Sequence, residues 1–60
     1  MYTSLTDLPN GTYRCITPVD EVIIVVDDNN FYIDDEPLSS EEVNGILQYE
    51  EDHDVRYESI

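Results

Sequence analysis

Lysine is missing from this 60-residue chain and arginine occurs only twice, against fifteen aspartates and glutamates, for a formal net charge of −13. That imbalance excludes the classes that grip nucleic acid or anionic membranes through basic patches. Tryptophan is absent too, and Cys15 is the one cysteine, so no internal disulfide can form and no cysteine-rich metal site can be completed. The longest aliphatic run, Val22 to Val26, is far too short to cross a bilayer. Met1 to Asp7 lacks the basic start and apolar stretch of a secretory signal. A soluble protein of the cytoplasm is expected. Glycine occurs at two positions only, and no Gly-rich phosphate loop, nucleophile elbow or paired His ligands appear.

What is present is an apolar content of 40%, concentrated in runs rather than scattered, which is too patterned for a disordered acidic tail. A chain of this length buries only about 60% of the surface its unfolded form exposes, enough for one thin core and one domain, residues 1–60. Leu8-Pro9-Asn10-Gly11 is turn chemistry leading into Thr12 to Thr17, a β-branched and aromatic run that stops at Pro18. Asn10-Gly11-Thr12 also matches the glycosylation sequon, but with no secretory signal it reads as part of the turn. Val22 to Val26 reads as a central strand. Asp27-Asp28-Asn29-Asn30 tolerates left-handed backbone, so a hairpin into Phe31-Tyr32-Ile33 is expected.

Ser39 as N-cap places Glu42 at N3, a capping box, with Leu38 and Val43 at the hydrophobic-staple positions. Val43, Ile46 and Leu47 share one helical face, and the spacing predicts a helix over Ser40 to Tyr49. Asp54 to Ile60 alternates and reads as a last strand. The expected fold class is α+β: a small antiparallel sheet, made of a three-stranded meander plus a C-terminal strand, with one helix packed on it in the order βββαβ. The expected core holds Cys15 or Ile16, alternate members of Val22 to Val26, Ile33, Val43, Ile46 and Leu47. Exposed sheet edges allow a monomer or a homodimer.

Enzymatic readings find little footing. Cys15 and His53 could pair as nucleophile and base, but Cys15 falls in a strand pattern that buries it and no second layer forms a cleft; a core cysteine is the better reading. His53, among Glu50, Glu51, Asp52 and Asp54, reads as a surface histidine in an acidic field. Asp27-Asp28-Asn29-Asn30 resembles the start of a calcium loop, yet the sixth position from Asp27 is Tyr32 and from Asp28 is Ile33, where glycine is needed. Asp34, Asp35 and Glu36 could hold a divalent ion loosely, as any polyanion does. No catalytic residue, cofactor or metal is assigned.

The acidic surface is therefore the candidate site. Glu50, Glu51 and Asp52 fall at or beyond the helix C-terminus, where the macrodipole disfavours anions and no Lys or Arg relieves them. A surface made only for solubility interleaves both signs. Proteins that bind DNA gain much of their affinity by neutralising phosphates, and a rigid array of carboxylates can fill the same basic groove. In size, charge and compactness the whole chain resembles the small acidic phage-encoded inhibitors of the anti-CRISPR and anti-restriction type that mimic DNA, although no sequence motif carries the likeness. The resemblance implies a stoichiometric inhibitor that blocks the nucleic-acid groove of a host defence or DNA-processing protein. The partner-binding carboxylates are expected in three groups: Asp27 and Asp28 with Asp34, Asp35 and Glu36; Glu41 and Glu42; and Glu50, Glu51, Asp52 and Asp54. Tyr2, Tyr13, Tyr32, Tyr49 and Tyr57 divide between interface and core. The alternative is an acidic interaction module, antitoxin-like, that binds a basic protein without imitating nucleic acid. In neither reading does the chain bind nucleic acid or membrane itself.

Overall fold

The computed structural model of the protein describes residues 2–60. Strands β1 (Gly11–Ile16), β2 (Glu21–Asp27) and β3 (Asn30–Ile33) form the expected antiparallel meander, helix α1 runs over Ser40–Asp52, and β5 (Arg56–Ser59) pairs antiparallel with the free edge of β1. The class is α+β. Two elements come in addition: a two-residue strand β4 (Glu36–Pro37) on the far side of β3, which completes a five-stranded sheet in the order β4-β3-β2-β1-β5, and a 3-10 turn at Leu5–Asp7. Tyr2 joins the β5 edge through an antiparallel bridge to Tyr57.

Alternation decides the faces. Tyr13 and Cys15 on β1, Ile24 and Val26 on β2, and Tyr57 on β5 are buried on the inner face, while their neighbours Thr12, Arg14, Ile23, Val25 and Arg56 are exposed on the outer one. The β2–β3 and β3–β4 hairpins turn on pairs of left-handed residues, Asp28 (φ 51°) with Asn29 (φ 67°) and Asp34 (φ 54°) with Asp35 (φ 65°), the backbone that two-residue type I′ loops require. The Asn10 side-chain oxygen accepts the Asp28 N–H at 3.0 Å and holds the first turn to the start of β1. Gly11 sits at φ 153°, a backbone that residues with a Cβ rarely adopt, so the chain enters β1 through the residue without one.

α1 begins as expected: Ser39 Oγ accepts the Glu42 N–H at 3.2 Å and Glu42 Oε1 accepts the Ser39 N–H at 3.0 Å. It ends three residues later than the spacing predicts, at Asp52 with His53 as C-cap, so the acidic triplet forms its last turn. Val43, Ile46, Leu47 and Tyr49 pack against the inner face, yet no residue of α1 is fully buried.

The core is Leu5, Leu8, Tyr13, Cys15, Ile24, Val26, Val55 and Tyr57. Cys15 rather than Ile16 faces inward, and Ile33, Val43, Ile46 and Leu47 are half-buried around the core instead of central to it. The unexpected members come from the N-terminal segment, where Leu5 is fully enclosed. No helix among the described residues is long and apolar enough to cross a membrane.

Candidate acidic interface

Antiparallel pairing sends successive connections to opposite ends of the sheet, and this sorts the acids. One end receives the β1–β2 loop, the β3–β4 turn and the connection from α1 into β5. It carries Asp20, Asp34, Asp35, Glu36, Glu51, Asp52 and Asp54, all exposed. These seven carboxylates spread over four inter-strand spacings, about 19 Å, or roughly one charge per 3 Å against one per about 1.7 Å along duplex DNA. We call it the carboxylate end.

Asp27 and Asp28 lie at the other end of β3, roughly 10 Å of strand away from Asp34, so the group expected to unite them with Asp34, Asp35 and Glu36 is split. The second half of that group instead joins Glu51, Asp52 and Asp54. Glu41 and Glu42 form a separate patch in the first turn of α1, which starts where the Leu38 N–H donates to the Phe31 carbonyl at 2.8 Å. There they are favoured by the helix dipole, and Glu42 is committed to the capping box. Asp20, which sequence reasoning left out, belongs to the carboxylate end because the β1–β2 loop and the β3–β4 turn point the same way. The signal was the parity of the connections, which the expected three-stranded meander already carries.

Several of these charges sit where the backbone disfavours them. Asp34 and Asp35 occupy consecutive left-handed positions that Asn-Gly fills at lower cost, and Glu51 and Asp52 end a helix whose last turn holds no basic residue. Solubility needs charge, but not at these positions.

Glu50 is different. It is half-buried, and its Oε2 accepts the Leu5 N–H at 2.8 Å and the Tyr57 hydroxyl. One oxygen thereby satisfies a donor at the start of the 3-10 turn and the polar tip of a phenol with no solvent exposure, tying the N-terminal segment, α1 and β5 together. Burial, reinforced by this hydrogen bond to Glu50, pushes the Tyr57 hydroxyl far above the usual phenol range. Burial also raises the Cys15 thiol; the neighbouring Tyr57 hydroxyl acts in the opposite direction, and the Glu50 charge adds to the rise. A thiol so held is a poor nucleophile. His53 lies elsewhere, exposed, stacked on Tyr49 at 4.0 Å between ring centroids, its Nδ1 3.3 Å from the Tyr49 carbonyl.

Two open depressions flank the helix end. One of about 660 Å³ is lined by Thr3, Thr17, Glu50, His53, Asp54 and Arg56. The other, about 280 Å³ and apolar, lies between sheet and helix against Val22, Ile24, Ile33, Ile46, Tyr49 and Val55. Among the described residues no three His, Cys, Asp or Glu side chains converge as a metal ion requires. The arrangement is suited to meeting a broad basic surface rather than to enclosing a small molecule. No protein-family model matches this chain, and no curated protein or solved structure matches it either.

Proposed function

We propose that this protein is a stoichiometric inhibitor, acting in the cytoplasm of a host cell, whose carboxylate end occupies the Lys- and Arg-lined nucleic-acid groove of another protein and keeps DNA or RNA out. The supporting observation is the gathering of seven exposed carboxylates at one end of a rigid sheet, two of them in left-handed turn positions and two at an unrelieved helix C-terminus. A phage-encoded inhibitor of a host defence or DNA-processing protein, a CRISPR component for instance, fits that chemistry. No cofactor and no catalytic step is involved.

Basic nucleic-acid-binding proteins retained by the immobilised protein supply the test. Nucleic acid should displace them competitively, and affinity should fall as salt rises, because each contact replaces a screened charge pair. Changing Asp20, Asp34, Asp35, Glu36, Glu51, Asp52 and Asp54 to their amides should weaken binding at least ten-fold, mainly through slower association, while Asp27→Asn with Asp28→Asn should do less. A target that binds DNA and this protein at once would establish the plain acidic interaction module instead. Unchanged affinity after the seven substitutions would overturn the reading outright.

A further inference from the structure

Among the described residues no element packs on the outer face of the sheet. α1 lies on the inner face, and register places a largely apolar row across four strands on the other: Pro37, Tyr32, Val25 and Thr12 are successive partners, Thr12 being the polar member, and Ile60, just past β5, donates its N–H to the Thr12 carbonyl at 3.1 Å beside them. Ile23 and Ile16 stand on the same face on the neighbouring strands. Three of the four most exposed large aliphatic residues lie here, Ile23 (47%), Val25 (38%) and Ile60 (67%). An apolar row this long on an antiparallel sheet is expected to face another layer.

The charge on this face is also unlike the rest. Arg14 and Arg56, the chain's two basic Lys/Arg-type residues, both stand on it, with Glu21, Glu58 and Asp27. Arg14 lies 3.8 Å from Glu21 and from Glu58. Of the other twelve carboxylates, Glu36 stands on β4 with inner-face parity, and eleven are on the helix, the connections and the N-terminal segment. We propose that this outer face is a self-association surface, covered in solution by the same face of a second copy.

Charge selects that occupant. A basic partner is drawn to the carboxylate end and the helix, and an acidic one is repelled by the molecule as a whole. An isologous contact sets two arginines and three carboxylates against the same set, nearly neutral overall, with the strongly acidic surfaces turned outward. The sheet spans four inter-strand spacings, about 19 Å, by the seven residues of β2, about 23 Å. That is roughly 400 Å² in projection, more with side-chain relief, against ~800 Å² per partner for a standard interface, which sets the contact in the weak range. Two such sheets pack about 10 Å apart as a sandwich. Salt then acts with a sign opposite to its effect on a basic target: the two net charges repel at low ionic strength and are screened at physiological strength, so association tightens as salt is added.

Analytical ultracentrifugation of the full chain, from low micromolar to millimolar protein, tests this at low and physiological salt. The expected result is a monomer–dimer equilibrium whose dissociation constant drops roughly ten-fold or more between about 10 mM and 150 mM salt. Ile23→Thr with Val25→Thr keeps β-branched residues at exposed positions and should leave the circular dichroism unchanged while abolishing the dimer. Arg14→Glu, which sets a third like charge beside Glu21 and Glu58, should weaken it several-fold in a separate background. A monomer under all conditions overturns the proposal. So does a dimer that withstands both sets of substitutions, which would assign the contact to a sheet edge. The inference does not depend on nucleic-acid mimicry, and the same double variant should still bind a basic target through the carboxylate end.

Discussion

Glu50 shows why the acids of this chain cannot be treated as one population. Its Oε2 serves the Leu5 amide and the Tyr57 hydroxyl at a point where neither donor has another partner among the described residues. We predict that Glu50→Ala costs about 2–3 kcal/mol, the usual penalty for stranding donors that had bonded a charged group. Glu50→Gln should cost less, because an amide oxygen can accept both bonds. The exposed neighbour Glu51 should tolerate Gln within about 0.5 kcal/mol, or gain slightly from relief at the helix end. Urea unfolding of the three variants checks this, and equal stability for Glu50→Ala and the parent would remove Glu50 from the framework. Tyr57 adds a pH dependence. Its folded pKa lies above the unfolded phenol value of about 10, so its contribution is intact below pH about 10. Above that the unfolded chain loses a proton that the folded protein keeps, and stability should fall with pH. Melting temperatures across the alkaline range, with Tyr57→Phe as control, test the sign; a phenolate absorbance titration of Tyr57 at the ordinary pH in the folded protein would refute it.

The turns are where function and fold compete most visibly at the level of elements. Asp34-Asp35 closes the β3–β4 hairpin with two left-handed aspartates, whereas Asn-Gly suits that loop better. Replacing the pair by Asn-Gly should stabilise the protein by about 1 kcal/mol and, by removing two charges from the carboxylate end, weaken binding to a basic target. Stability and affinity moving together, in either direction, would show that the pair is kept for another reason. The same elements mark how far the sequence was legible. β1, β2, β3, α1 and β5 follow from alternation, turn residues and the Ser39–Glu42 capping box, because those signals are local. β4 was not legible, since Glu36–Pro37 is too short for any period and exists only through the turn before it. The N-terminal plug was missed for a related reason. Leu5 and Leu8 sit in no periodic pattern, and the side chain that holds the Leu5 amide is Glu50, far along the chain. The expected meander already carries the parity that brings Asp20 and Asp34 to one end and sends Asp28 to the other; grouping Asp27 and Asp28 with Asp34, Asp35 and Glu36 follows sequence neighbourhood instead, and the length of β3 separates the two halves.

At the scale of the whole molecule, size and screening length decide how the net charge acts. The Debye length is about 30 Å at 0.01 M salt and about 8 Å at 0.15 M. The molecule spans 26 × 25 × 19 Å, so at low salt every carboxylate feels every other across the fold, and at physiological salt only its neighbours. The expanded chain separates the same charges further in both cases. Self-repulsion therefore weighs on the folded state, and its relief should be nearly complete by physiological ionic strength. We predict that stability rises by at least about 1 kcal/mol over that interval, a shift of roughly 4–8 °C in melting temperature for a domain of this size, with little change at higher salt. Self-association through the outer face would add a salt-dependent gain of its own by mass action. The measurement is therefore made on the Ile23→Thr, Val25→Thr variant and repeated at two protein concentrations, because repulsion within one molecule is independent of concentration and dimerisation is not. A melting temperature that stays flat from low to physiological salt in that variant would mean that the fifteen carboxylates sit far enough apart, or close enough to solvent, for the fold to carry its charge without cost.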